Sequence, residues 1–145
     1  MTDAAPLFVD TSFWIALLNR RDEHHARAVR WKNFVAATRT RLITSEAVLW
    51  EWLNASGSPL LRSRAAQGYR RCHGDDGITV VGFDDDLVRQ AVALYEQRPD
   101  KGWSLTDCFS FVAMNHTSLR GALATDHHFK QAGFEPLLLQ EPPNP

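Results

Sequence analysis

Four acidic residues stand where a carboxylate could do chemistry rather than solvate a surface. Asp10 ends the apolar run Leu7-Phe8-Val9, and Asp126 ends the run Gly121 to Thr125. Asp107 follows Ser104-Leu105-Thr106, and Glu51 sits inside Ala47-Val48-Leu49-Trp50-Glu51-Trp52-Leu53. Magnesium and manganese favour hard oxygen ligands and keep several waters, so one or two carboxylates per ion plus a substrate phosphate complete the shell. Clustered without a cation, such carboxylates repel one another. With one or two ions they form a phosphodiester-cleaving site, in which metal activates a water for in-line attack and offsets charge on the leaving oxygen.

Each acid also has a plainer reading. Asp10 could cap the helix that follows it, although Thr11 or Ser12 could cap instead. Asp126 has the same ambiguity before His127-His128-Phe129. Ser104-Leu105-Thr106-Asp107 reads as a capping box, in which Asp107 reaches back to the Ser104 amide. That device also fixes a carboxylate in the first helical turn, where the positive dipole end favours negative charge.

Two glutamates compete on one helix. Glu46 and Glu51 lie about 140° apart around it, so they do not serve one site. Glu46 falls in the first turn, where an acid is expected for dipole reasons only. Glu51 is mid-helix among apolar neighbours, where a carboxylate needs a partner such as a metal ion. Glu51 is therefore the expected site residue. The pairs His24-His25 and His127-His128 lack the i, i+4 spacing of a zinc site and read as surface residues. His127 or His128 could still touch substrate, because both adjoin Asp126. Trp14, Trp31, Trp50, Trp52 and Trp103 read as core, Trp103 least firmly because it falls in a loop.

The elements that must position these groups alternate along the chain. Apolar runs at Pro6–Asp10, Arg41–Thr44, Ile78–Val81, Gly121–Thr125 and Pro136–Leu139 read as strands. Helices are expected over Phe13–Leu18, Arg21–Ala37, Glu46–Asn54, Leu60–Cys72, about Asp84–Gln97 and Ser104–Thr117. Strands alternating with helices imply a parallel sheet covered on both faces, an α/β sandwich. Sites in such sheets lie outside the carboxyl ends of the strands. Asp10 and Asp126, each following a strand, should then share one edge.

The 145 residues suit a single domain, expected over residues 1–140 with a loose tail over 141–145. An apolar fraction of 44% with 23% charged residues excludes wholesale disorder. No apolar stretch is long enough to span a membrane. The first eight residues lack the basic segment of an export signal, so a cytoplasmic protein is expected. Cys72 and Cys108 have no metal or redox spacing and read as reduced thiols. The net charge of −1 hides an asymmetry, since residues 20–71 carry eleven Lys/Arg against four acids. A basic flank beside a carboxylate cluster could grip a phosphate backbone.

Taken together, Phe8-Val9-Asp10-Thr11-Ser12, Thr44-Ser45-Glu46-Ala47-Val48-Leu49-Trp50-Glu51, Trp103-Ser104-Leu105-Thr106-Asp107-Cys108 and Ala124-Thr125-Asp126-His127-His128-Phe129 resemble the PIN-domain family in order, spacing and flanking residues. The resemblance spans about residues 7–139, with the middle, about 57–100, matching only in its element pattern. It implies a three-layer α/β/α sandwich with a five-stranded parallel sheet and a Mg²⁺- or Mn²⁺-dependent ribonuclease. It carries the family's acidic quartet onto Asp10, Glu51, Asp107 and Asp126, with Thr106 or Thr125 as supporting donors. Many bacterial members of this size are VapC-like toxins, commonly dimeric and held inactive by a small antitoxin, so an RNA substrate, an antitoxin partner and a homodimer are expected by inheritance.

Two other readings compete with this one. A haloacid-dehalogenase-like phosphatase needs a second acid two residues after the first, and Ser12 stands there. A non-catalytic RNA- or protein-binding module on the same fold is the other, since fold does not fix function.

Overall fold

The computed structural model describes residues 4–144; residues 1–3, at the start of the segment read for an export signal, and Pro145 of the expected tail lie outside the described residues. The elements run β1 (Leu7–Val9), α1 (Thr11–Leu18), α2 (His25–Thr38), β2 (Leu42–Ser45), α3 (Glu46–Ala55), α4 (Pro59–Gly74), β3 (Ile78–Val81), α5 (Asp85–Gln97), α6 (Leu105–His116), β4 (Gly121–Leu123), α7 (His127–Gln131) and β5 (Glu135–Pro136). The sheet has the order β3-β2-β1-β4-β5, and every neighbouring pair is parallel. This is the helix-flanked five-stranded parallel sheet expected from the sequence.

Strand β1 is central, and its sequence shows why. Phe8 and Val9 are wholly buried, as a parallel strand covered on both faces requires. On one side Leu7 pairs with Leu42 and Phe8 with Ile43; on the other Phe8 pairs with Ala122 and Val9 with Leu123. The registers bring the ends of β1 and β4 level, so the chain leaves both at one edge.

Several boundaries shift from the sequence reading, and three of the shifts have a clear local reason. Strand β4 stops at Leu123 because the Ala124 amide turns back to the Ala122 carbonyl at 2.9 Å. Strand β5 is only Glu135–Pro136, since Pro136 has no N–H for a ladder. Leu137–Leu139 instead form a single 3₁₀ turn that buries Leu138. Helix α2 begins at His25 rather than Arg21, because Asp22 makes a turn, its Oδ1 accepting from the His24 amide at 2.8 Å.

The helix that carries Asp107 is the most enclosed. In α6 every residue from Asp107 to Met114 is buried, and the helix packs against α3 and α5. A fully buried Phe such as Phe111 contributes roughly 1.5–3 kcal/mol relative to exposure, so α6 is held firmly. Helix α3, which carries Glu51, is fixed by Trp52 stacked on Trp14 of α1, centroids 5.5 Å apart. Helix α4 crosses that stack at Gly68, where a Cβ would stand 2.3 Å from the Trp52 ring. Among the described residues no helix is long and apolar enough to cross a membrane.

Candidate active site

Each of the three aspartates caps a helix or belongs to its capping box. Asp10 is the N-cap of α1, displacing the expected Thr11 or Ser12; the Ser12 amide donates to its Oδ2 at 3.4 Å and the Ser12 hydroxyl at 2.9 Å. That hydroxyl also accepts from the Thr125 amide at 3.2 Å, tying the end of β1 to the segment after β4. Asp126 caps α7, accepting from the His128 amide at 2.9 Å. Asp107 completes the capping box of α6: its Oδ2 accepts from the Ser104 amide at 3.1 Å, while the Ser104 hydroxyl accepts from the Asp107 amide at 3.0 Å. Capping does not exclude the site. It sets where each carboxylate stands.

The clustering shows in the electrostatics of Asp10. Its residue is only 6% exposed, and burial, opposed by the Ser12 hydrogen bond and reinforced by the nearby Asp107 and Glu51 charges, pushes its carboxyl up to about 7. Asp10, Asp107 and Glu51, from three elements far apart in sequence, therefore share one neighbourhood. Hard oxygen donors around an uncompensated negative charge fit a divalent cation such as magnesium or manganese.

The two glutamates separate as the helix geometry requires. Glu51 is half-buried and walls a cleft together with Thr106. Glu46 faces α4, where it accepts from the Tyr69 hydroxyl at 3.1 Å and lies 2.6 Å from His73 Nε2. The expectation that Glu46 serves the helix dipole alone is thus corrected: it pins α3 to α4.

His128 overturns the surface reading given to the histidine pairs. Its side chain is 21% exposed, and Nδ1 lies 3.0 Å from Asp107 Oδ2 and 3.2 Å from Asp126 Oδ2. Because carboxylates accept, Nδ1 is the protonated nitrogen of this pairing. His127 remains 73% exposed. Ligand atoms of Asp126, His127 and His128 lie within 4.8 Å of one another, a second group of metal-ligating type at the same edge. No local sequence signal singles out His128, since His127 Nδ1 also lies 3.4 Å from Asp126 Oδ1 and only the contact with Asp107 on α6 separates the two rings.

Two further expectations change. Trp50 is not core but 57% exposed, whereas Trp103 is buried and donates from Nε1 to Gln131 Oε1 at 3.0 Å. The basic flank also divides. Lys32, Arg39, Arg41, Arg64 and Arg71 line a groove of about 670 Å³ that includes Leu42 and Ile78, the first residues of β2 and β3. That is the sheet edge opposite the carboxylates, so these cations do not surround the acid site.

A five-stranded parallel sheet with acids gathered beyond its central strands is the architecture of a nuclease domain, and the PIN domain family matches this chain over residues 7–135. The chain belongs to the PIN-domain family, a family of divalent-metal-dependent nucleases. It is similar to the protein described as "23S rRNA-specific endonuclease VapC20" in two strains of Mycobacterium tuberculosis, CDC 1551 / Oshkosh and ATCC 25618 / H37Rv. Each is 32% identical over 131 residues, which is 88% of this chain and 95% of the relative. The crystal structure of Mycobacterium tuberculosis VapC20, described as a Sarcin-Ricin loop cleaving toxin, matches with a TM-score of 0.79 at 30% identity, covering 90% of this chain and 98% of the other.

Proposed function

We propose that this protein is a metal-dependent endoribonuclease and the toxin of a toxin–antitoxin pair, with Asp10, Glu51, Asp107 and Asp126 holding Mg²⁺, or Mn²⁺ in its place. The observation that carries the reading is the gathering of carboxylates beyond β1 and β4, where Asp10 is buried and one His128 nitrogen lies 3.0 Å from Asp107 and 3.2 Å from Asp126. Such a cluster is unfavourable in a protein at rest and useful only if something positive sits in it. A bound divalent ion supplies a water activated for attack on a phosphodiester and offsets the charge that develops on the leaving oxygen.

The protein's own groups do the positioning. Helix caps hold the aspartates before any ligand arrives, so little reorganisation is needed during reaction. Ser12 fixes the face that Asp10 presents, and His128 spans Asp107 and Asp126. RNA is the substrate class, and the large ribosomal RNA named for the Mycobacterium relatives is the first substrate to try. The expected antitoxin would block the site by placing a basic side chain, most simply an arginine, among the carboxylates. A homodimer working in the cytoplasm completes the reading.

Growth on induction is the test of the biological part. Expression alone in a bacterium is expected to arrest growth, Asp10→Asn is expected to relieve the arrest, and a co-expressed neighbouring small protein is expected to restore growth and co-purify. Harmless induction of a soluble, RNA-cleaving protein would leave a housekeeping nuclease. Soluble protein that binds RNA and never cleaves it would leave a binding module instead.

A further inference from the structure

The cations of residues 20–71 leave a question at the acid edge. Lys32, Arg39, Arg41, Arg64 and Arg71 line the groove at the opposite edge of the sheet, and Arg27 and Arg30 are occupied by Glu141. A backbone phosphate brought up to four carboxylates needs a positive group closer by. Helix α7, the five residues His127–Gln131 capped by Asp126, supplies one. Its other side chains are committed. His128 spans Asp107 and Asp126, and Phe129 is wholly buried, its ring centroid 6.4 Å from that of Phe8 and 5.1 Å from that of Phe111. Gln131 accepts from the Trp103 indole at 3.0 Å, and His127 Nδ1 lies 3.4 Å from Asp126 Oδ1. Lys130 is left over. It is exposed, and its ammonium makes no ion pair or hydrogen bond among the described residues.

Resting on the ribonuclease reading above, we propose that Lys130 is a phosphate contact for RNA, seating a backbone phosphodiester beside the bond presented to the acids. Three observations support it. The first is place: Lys130 follows Asp126 by four residues, a spacing that sets side chains roughly 5–6 Å apart at Cβ. Helical side chains also lean toward the N-terminus, which here means toward Asp126. The second is availability. Asp126 is engaged by the His128 amide and faces the two histidine rings, so the ammunition of its charge is spent there and Lys130 stays unpaired. The third is support: the Asp126 cap and the Trp103–Gln131 bond hold α7 at both ends, so only the lysine side chain must order on binding. A basic residue in the last turn of a helix can serve the dipole instead. At α7 that end is already satisfied, because the carbonyls of His128, Phe129 and Lys130 accept from the amides of Ala132, Phe134 and Gly133. A lysine ammonium is a compact point charge, so it holds a phosphate without reading a base.

The test is fluorescence anisotropy of labelled single-stranded RNA on full-length Asp10→Asn, with and without Lys130→Gln, over a range of salt concentrations. Lys130→Gln is expected to weaken binding about three- to tenfold, equally for oligonucleotides of different sequence. It is also expected to reduce the slope of log affinity against log salt by about one. Lys130→Arg is expected to restore both, and Lys32→Gln, at the opposite edge of the sheet, to change neither. In cleavage by the otherwise unaltered chain with Mg²⁺, Lys130→Gln is expected to raise KM while kcat, melting temperature and Mn²⁺ binding by calorimetry stay close to the parent. The binding arm keeps the two readings apart, since a lower affinity and slope there support the contact even if the parent never cleaves. Unchanged affinity and slope in Lys130→Gln would overturn it. So would a loss that arginine does not restore, which would make the residue structural, or an equal loss in Lys32→Gln, which would make the effect one of overall charge.

Discussion

His128 Nδ1 lies 3.0 Å from Oδ2 of Asp107, although the two residues are twenty-one positions apart and belong to different helices. The same nitrogen lies 3.2 Å from Asp126 Oδ2, so one ring holds two carboxylates that would otherwise repel. Groups that orient metal ligands in this way typically matter about 10–100-fold in metal affinity or activity. His128→Ala is therefore expected to weaken Mn²⁺ binding about tenfold in a calorimetric titration. His128→Asn, whose amide nitrogen reaches the same place as Nδ1, is expected to recover most of it. Equal affinities across parent and both variants would show that the ring is idle.

Asp10 makes a prediction about stability. Its carboxyl is raised from 3.8 to about 7, so the folded protein binds a proton that the unfolded chain has released. Stability of the metal-free protein must then fall as pH rises through that interval, by on the order of 4 kcal/mol once pH exceeds the folded value. Asp10→Asn removes the effect. Its melting temperature is expected to match the parent below pH 3.8 and to exceed it increasingly up to about pH 7. A difference that stays constant across that range, measured in chelator, would contradict the clustered-charge account.

Glu51 and Glu46 should behave oppositely. Glu51→Gln is expected to reduce RNA cleavage by about 10–100-fold with little effect on melting. Glu46→Gln keeps one acceptor oxygen but loses the charge and the second oxygen that Tyr69 and His73 share, and is expected to cost about 0.5–1.5 kcal/mol of stability while cleavage persists. Urea unfolding beside a cleavage assay separates the two, and the reverse ranking would mean that the other face of α3 carries the site.

The chain end offers a test in acid. Glu141, within the segment expected to be a loose tail, accepts from Arg30 at 2.6 and 2.7 Å and from Arg27 at 3.1 Å. The hydrogen bond from Arg30 leads the causes that hold its carboxyl down from 4.5 to about 2. The group's depressed value means that its contribution is fully present above 4.5 and disappears as pH falls toward 2. The melting difference between the parent and Glu141→Gln is expected to follow that course. A difference that persists at the acid end would show that the contact is not ionic.

What the sequence made legible was periodicity and order. The apolar runs before Asp10 and Asp126 give β1 and β4, and the 140° offset between Glu46 and Glu51 follows from helix geometry alone. What escaped was contact across the fold. Nothing local distinguishes His128 from His127, because the difference lies in the α6 carboxylate that only one ring meets. Trp50 likewise reads as core beside Trp52, yet only Trp52 finds a stacking partner, in Trp14. The basic flank misled in the same way, since a chain segment has a charge balance but not an edge of the sheet. Capping was legible at Asp107 and ambiguous at Asp10, and the structure shows that cap and cluster are one arrangement.

The most direct measurement is cleavage of end-labelled RNA by protein stripped with chelator and then given Mg²⁺. The parent is expected to cleave only after Mg²⁺ is added, and Asp10→Asn and Asp107→Asn are expected to be inactive while melting at or above the parent temperature. Cleavage that survives chelation, or that persists in both folded aspartate variants, would contradict the assignment of a metal-dependent site to these carboxylates.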